Sequence, residues 1–86
     1  MIKTPENETF ALCLGEVLRN IRKDKIKLSQ RQLGEKIGLS QQTISVSEAG
    51  KSMASVYLLY KYCEVAGIEP SQAINEVNRS LNGIMK

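Results

Sequence analysis

With 86 residues, 12 lysines and arginines against 9 aspartates and glutamates, and no histidine, the chain makes one small domain of formal net charge +3. At this length folding buries only about 60% of the unfolded surface. Two cysteines without a Cys-x-x-Cys pair offer neither a disulfide framework nor a zinc site, so helical packing must supply the stability. Catalysis is excluded on the same footing: there is no histidine, no Gly-rich phosphate loop and no metal-ligating cluster, so no catalytic residue, metal or cofactor is expected.

Met1 to Phe10 carries Lys3, Glu6 and Glu8 without an apolar run, which is not the pattern of a secretory signal. No stretch approaches the roughly 18 apolar residues of a membrane span, and a cytoplasmic protein is expected. Thr4-Pro5-Glu6 offers a cap with proline at the first helical position, and Phe10, Leu14, Val17, Leu18 and Ile21 then recur at helical spacing. This predicts a first helix ending near Asp24. Ser29 followed by Gln32 reads as a capping box for a second helix, with Leu33 and Ile37 inward and Gly38 as its left-handed stop. Ser40 caps a third helix, which places Gln41, Gln42 and Ser45 in its first turns, turns Ile44 inward and ends at Gly50.

A fourth helix holds Val56, Leu59, Cys63 and Ala66 and stops at Gly67. A fifth begins at Pro70, carries Ile74, Val77 and Leu81, and is expected to stop at Asn82-Gly83. Cys13 and Cys63 fall inside apolar helical patterns and are expected as reduced core thiols. There is no strand pattern, internal repeat or low-complexity segment. The expected fold class is therefore all-α, a compact bundle of about five helices in a single domain, residues 1–86.

The positive charge is concentrated. Arg19, Arg22, Lys23, Lys25, Lys27, Arg31 and Lys36 face only Asp24 and Glu35 within the same span, net +5 over residues 19–36. Such a block is either a solvated face or, beside a DNA-reading helix, a place where phosphates are met. Two short helices joined by a tight glycine turn between Ser29 and Gly50 are the pattern of a helix-turn-helix DNA reader, and a glutamine amide at the start of a groove-inserted helix can pair bidentately with the edge of adenine.

Leu14-Gly15, Leu18, Arg22, Leu28-Ser29-Gln30, Leu33, Ile37-Gly38, Ser40-Gln41-Gln42-Thr43-Ile44-Ser45, Glu48, Gly50-Lys51 and Gly67-Ile68 together resemble the phage-repressor and Cro-like helix-turn-helix family, over about residues 14–74. The remaining residues 75–86 form a helix end and tail. The resemblance implies a lambda-repressor-like bundle in a bacterial or phage protein, helix three in the major groove of double-stranded DNA, and a two-fold homodimer on an inverted repeat. It also implies that Gln30 sits against the DNA backbone and supports the recognition helix, that Gln41 and Gln42 read bases, that Thr43 and Ser45 reach phosphate or a base edge, and that Lys51 and Ser52 meet phosphate. Arg31 belongs to the same basic, phosphate-facing surface.

Three positions depart from the family pattern: Val46 and Ala49 stand where relatives often have basic or polar residues, and Ser47 where they have a large apolar one. Val46 either touches a thymine methyl or packs locally. Ser47 suggests that Tyr57 or Tyr60 fills the space. Ala54 replaces a common proline. Glu48 is expected to pair with an arginine such as Arg22, holding helix one against helix three. Ile74, Val77, Leu81 and Ile84 follow 3-4-3 spacing, either as a dimer seam or, for the first two, as core; of Tyr57, Tyr60 and Tyr62 at least one should be exposed and could join the same interface.

The function expected is that of a sequence-specific transcriptional regulator that represses or, less often, activates. The alternative is a protein-interaction module such as an antitoxin or antirepressor, whose partner would be a toxin, a polymerase or a repressor.

Overall fold

Apolar side chains at i, i+3 and i+4 oblige each helix of this chain to find a neighbour, and the first helix finds three. The computed structural model describes the backbone of residues 5–85 and the side chains of residues 6–83. Helix α1 (Pro5–Ile21) turns Cys13, Leu14, Val17, Leu18 and Ile21 inward and packs against the third, fourth and fifth helices. Thr4, the expected cap, lies outside the described residues. The other helices are α2 (Gln30–Ile37), α3 (Gln41–Glu48), α4 (Val56–Ala66) and α5 (Pro70–Met85), and the described residues contain no strand. Leu33 from α2, Ile44 from α3, Leu58 and Tyr62 from α4, and Ala73 and Val77 from α5 complete one core with α1. Both cysteines are free and buried within it, as their apolar settings imply.

The boundaries follow local chemistry. Ser29 accepts from the Gln32 amide at 3.0 Å while the Gln32 side chain accepts from the Ser29 amide at 2.9 Å, the reciprocal box expected at the start of α2. Ser40 and Ser55 accept from Thr43 and Leu58 amides in the same way. Gly38 and Gly67 stop α2 and α4 at φ of 76° and 73°, a conformation that costs other L-residues about 1–2 kcal/mol.

Two boundaries differ from expectation. After Ile21 the first helix widens into a π-helical turn, Arg22–Ile26, closed by the Lys27 amide on the Arg22 carbonyl with Lys27 left-handed at φ 63°. No glycine marks this stop; within the turn the Arg22 side chain is drawn inward and donates through Nη1 to the Leu28 carbonyl at 2.9 Å. At the other end α5 does not stop at Asn82-Gly83 but runs on to Met85. Glycine inside a helix is unfavourable by only about 1 kcal/mol, which does not terminate it.

Gly15 sets the closeness of α1 to α3. A Cβ there would lie 2.5 Å from the Ser47 carbonyl oxygen and 2.6 Å from that of Glu48, so the two backbones meet where most helix pairs interpose side chains. This accounts for Ser47, which is buried without a large partner. Contrary to expectation, Tyr57 and Tyr60 do not fill that region; both point outward, 57% and 52% exposed, and the buried ring is Tyr62.

Candidate nucleic-acid interface

Helix α3 has a narrow inward edge and a broad outward one. Ile44, Ser47 and Glu48 are buried at i, i+3 and i+4, whereas Gln41, Gln42 and Thr43 are exposed and Ser45 and Val46 half-buried. The turn from α2 is three residues, Gly38 to Ser40, with the Leu39 amide returning to the Gly34 carbonyl at 2.9 Å. Gly34 admits this turn: a Cβ on it would stand 2.6 Å from the Leu39 oxygen. The angle of α3 against α2 is thereby fixed at its start.

Its end is fixed by Glu48. Oε2 accepts from Arg22 Nε at 2.8 Å and from the Tyr62 hydroxyl at 2.6 Å, and Oε1 accepts from Arg22 Nη2 at 3.0 Å and Gln30 Nε2 at 3.1 Å. Arg22 also donates through Nη1 to the Leu28 carbonyl at 2.9 Å. One carboxylate thus joins the π turn, α2, α3 and α4, and among the described residues no buried side-chain polar atom is left without a partner. Burial pushes the Glu48 carboxyl up, but hydrogen bonds from Arg22, Tyr62 and Gln30 and the Arg22 charge prevail and hold it below the usual carboxylate range. The Glu48 hydrogen bond raises Arg22 above its ordinary value despite burial. Burial and the adjacent carboxylate push the Tyr62 phenol far up.

The expected Arg22–Glu48 pair is therefore present, bidentate and buried, which removes Arg22 from any phosphate-facing surface. The other members of the basic block, Arg19, Lys23, Lys25, Lys27, Arg31 and Lys36, are exposed. Arg31 meets Glu35 at 3.3 Å with both side chains in solvent, a pairing weak enough to exchange for a phosphate. Gln30 is half-buried, with its amide already engaged on Glu48. Thr43 shares a 2.8 Å hydrogen bond with the Ser40 hydroxyl, so its oxygen serves the helix cap. Lys51 and Ser52 are exposed in the loop after α3, and buried Ala54, at the place of the absent proline, anchors that loop to the core.

Tyr62 is the residue that sequence reasoning missed. It follows Leu58 by four and Leu59 by three, which turns it inward with them, and a buried phenol needs a partner; that spacing was the available signal. The anticipated apolar seam on α5 divides: Val77 is 2% exposed and belongs to the core, Leu81 packs against the core, and Ile74 is 48% exposed. Val77 is thus not a surface residue that a partner could reach. The Ile84 side chain lies outside the described ones. No helix among the described residues is long and apolar enough to cross a membrane.

The fold has a solved counterpart. The clp gene regulator ClgR from C. glutamicum superposes with a TM-score of 0.74 at 29% sequence identity, over 84% of this chain and 92% of that one. Comparison with curated proteins gives no match. A helix-turn-helix family model matches residues 18–72, which span α2, the glycine turn and α3 together with the arginine, glutamate and tyrosine that brace them; the chain belongs to the Cro/C1-type helix-turn-helix family.

Proposed function

We propose that this protein is a sequence-specific DNA-binding transcriptional repressor that occupies an inverted-repeat operator as a homodimer, with α3 in the major groove. The observation that carries the reading is the division of α3: its inward edge is pinned at both ends, while Gln41 and Gln42 stand exposed at its N-terminus. Similarity to a clp gene regulator and membership of the helix-turn-helix family support the regulatory role. Gln41 and Gln42 read adenine edges, Ser45 and the half-buried Val46 offer a hydroxyl and a methyl-contacting surface deeper along the helix, and Arg31, Lys51 and Ser52 meet phosphates. Gln30 steadies the start of α2 against α3 and lies within the same surface, and Thr43 contributes through the helix cap.

Selection of bound sequences from a random duplex pool, followed by titration of the winner against scrambled DNA at two salt concentrations, tests this. An enriched inverted repeat, strongly preferred over the scramble, is expected. Gln42→Ala should lose about 1–3 kcal/mol on the selected sequence and little on the scramble, whereas Arg31→Ala should weaken both alike and flatten the salt dependence. Equal losses on both duplexes for the glutamine variant would overturn direct readout.

A second reading, a protein-interaction module of the antitoxin or antirepressor kind, is favoured by one observation: α3 carries no basic residue. Sequence-blind binding by the wild type, together with a partner that covers the glutamine face, would decide for it.

A further inference from the structure

The outward stripe of α4 is aromatic. Val56, Tyr57 and Tyr60 are 83%, 57% and 52% exposed, and Lys61 and Glu64 continue the stripe at four and seven residues from Tyr57, which places all of them on one helical face. The bundle takes what it needs from the opposite side, through Leu58, Leu59, Tyr62 and Cys63. Contiguous exposed apolar surface marks an interaction site, and tyrosines are the residues that interfaces collect. Lys61 Nζ lies 5.7 Å from the centroid of the Tyr57 ring and 3.2 Å from Glu64 Oε1, so a cation and an anion stand three residues apart on the same stripe. Beside them is a depression of about 200 Å3, lined by Tyr60, Cys63, Glu64, Ile68, Glu69 and Pro70.

A contact between identical chains about a two-fold axis uses the same patch twice, so the patch must complement itself. This stripe does. Two α4 helices laid antiparallel set Lys61 of each copy against Glu64 of the other, and that register brings Tyr57 to the C-terminal end of the other α4, beside the depression that Ile68 lines just past the helix stop. We propose that a second copy of this chain covers the α4 stripe in that arrangement, each Tyr57 ring entering the depression of the other copy. The inference rests on the homodimer reading above and moves the contact from the α5 seam, whose Val77 is buried, to α4. Ile74, one helical turn beyond Pro70 and 48% exposed, extends the apolar rim.

Sedimentation of the full chain over a range of concentrations, with Tyr60→Asp, Lys61→Glu and Glu64→Lys, tests the arrangement. The wild type should dimerise, and each variant alone should raise the dimer dissociation constant about tenfold or more, because like charges or a buried carboxylate then face each other across the contact. Mixing Lys61→Glu with Glu64→Lys should restore dimers as heterodimers. Within each of those chains the cis pair has become two like charges, so only pairing between copies can rescue. A wild type that stays monomeric, variants that dimerise as it does, or a mixture no better than its components would each overturn the proposal. Binding to a duplex bearing one half-site separates the two readings: it should be the same for all four proteins, and its loss of sequence preference in the wild type would instead count against the repressor.

Discussion

Removing a carboxylate from water is unfavourable by several kcal/mol unless its lone pairs are filled, and at Glu48 the filling is done by three side chains that arrive from three different elements. The acid and alkaline limits of stability follow from this site. Glu48 titrates below its ordinary 4.5 in the fold, so the unfolded chain binds more protons over that window. Its contribution is complete above about pH 4.5 and is lost as pH falls through the folded value. Tyr62 and Cys63, raised above their ordinary 10.0 and 9.0, act in the opposite sense: their contributions are complete below pH 9 and decline as pH rises. Urea midpoints measured against pH should show both flanks. Glu48→Gln should flatten the acid one at reduced overall stability. Tyr62→Phe, which deletes a hydrogen bond to a charged group, should lose about 1.5–3 kcal/mol at neutral pH and remove the Tyr62 part of the alkaline decline.

The elements that can be read from the sequence are those whose ends are written in single residues. Ser29, Ser40 and Ser55 at the starts, and Gly38 and Gly67 at the stops, bound α2, α3 and α4 where capping chemistry places them. The π turn was not legible, because its stop is written in no glycine or proline: it closes on Lys27, a left-handed non-glycine residue, and apolar periodicity does not report such a turn. The roles of the tyrosines were misread because the room beside Ser47 depends on how closely α1 approaches, which is set at Gly15. That closeness can be tested. Gly15→Ala should destabilise the protein by about 1–3 kcal/mol, because its methyl meets backbone oxygens that cannot step aside. Gly83→Ala, with open space around the new methyl, should instead add about 0.5–1 kcal/mol of helix stability. Thermal melts of the two variants would show shifts of opposite sign.

At the scale of the whole molecule, the 86-residue chain presents one short helix, α3, as the proposed reader. Three or four base pairs at about 1–3 kcal/mol each discriminate poorly among the sites of a genome, so the proposed two-fold assembly has a job that the monomer cannot do. Two reading helices held by a common interface suit half-sites about 34–36 Å apart. Inserting about five base pairs, half a helical turn, between the selected half-sites should therefore abolish cooperative binding while leaving each half-site's own affinity intact, and inserting a full turn should restore some of it only if the interface yields. Footprint titration on the three duplexes would measure this. The sequence made the helix-turn-helix legible because its pattern is local; it also implied that at least one tyrosine is exposed, but that these are Tyr57 and Tyr60 is a property of the packed bundle.

The bracing of α3 lies entirely on the side away from Gln41, Gln42, Ser45 and Val46, and none of the bonds that hold Glu48 passes through them. On the proposed reading, the buried Ile44, Ser47 and Glu48 carry stability and other residues of the same eight-residue helix carry recognition. On that reading, descendants of such a chain are free to exchange the exposed Gln41 and Gln42 and acquire new operators while the melting temperature scarcely moves, so that drift in what is read need not wait for repair of the fold.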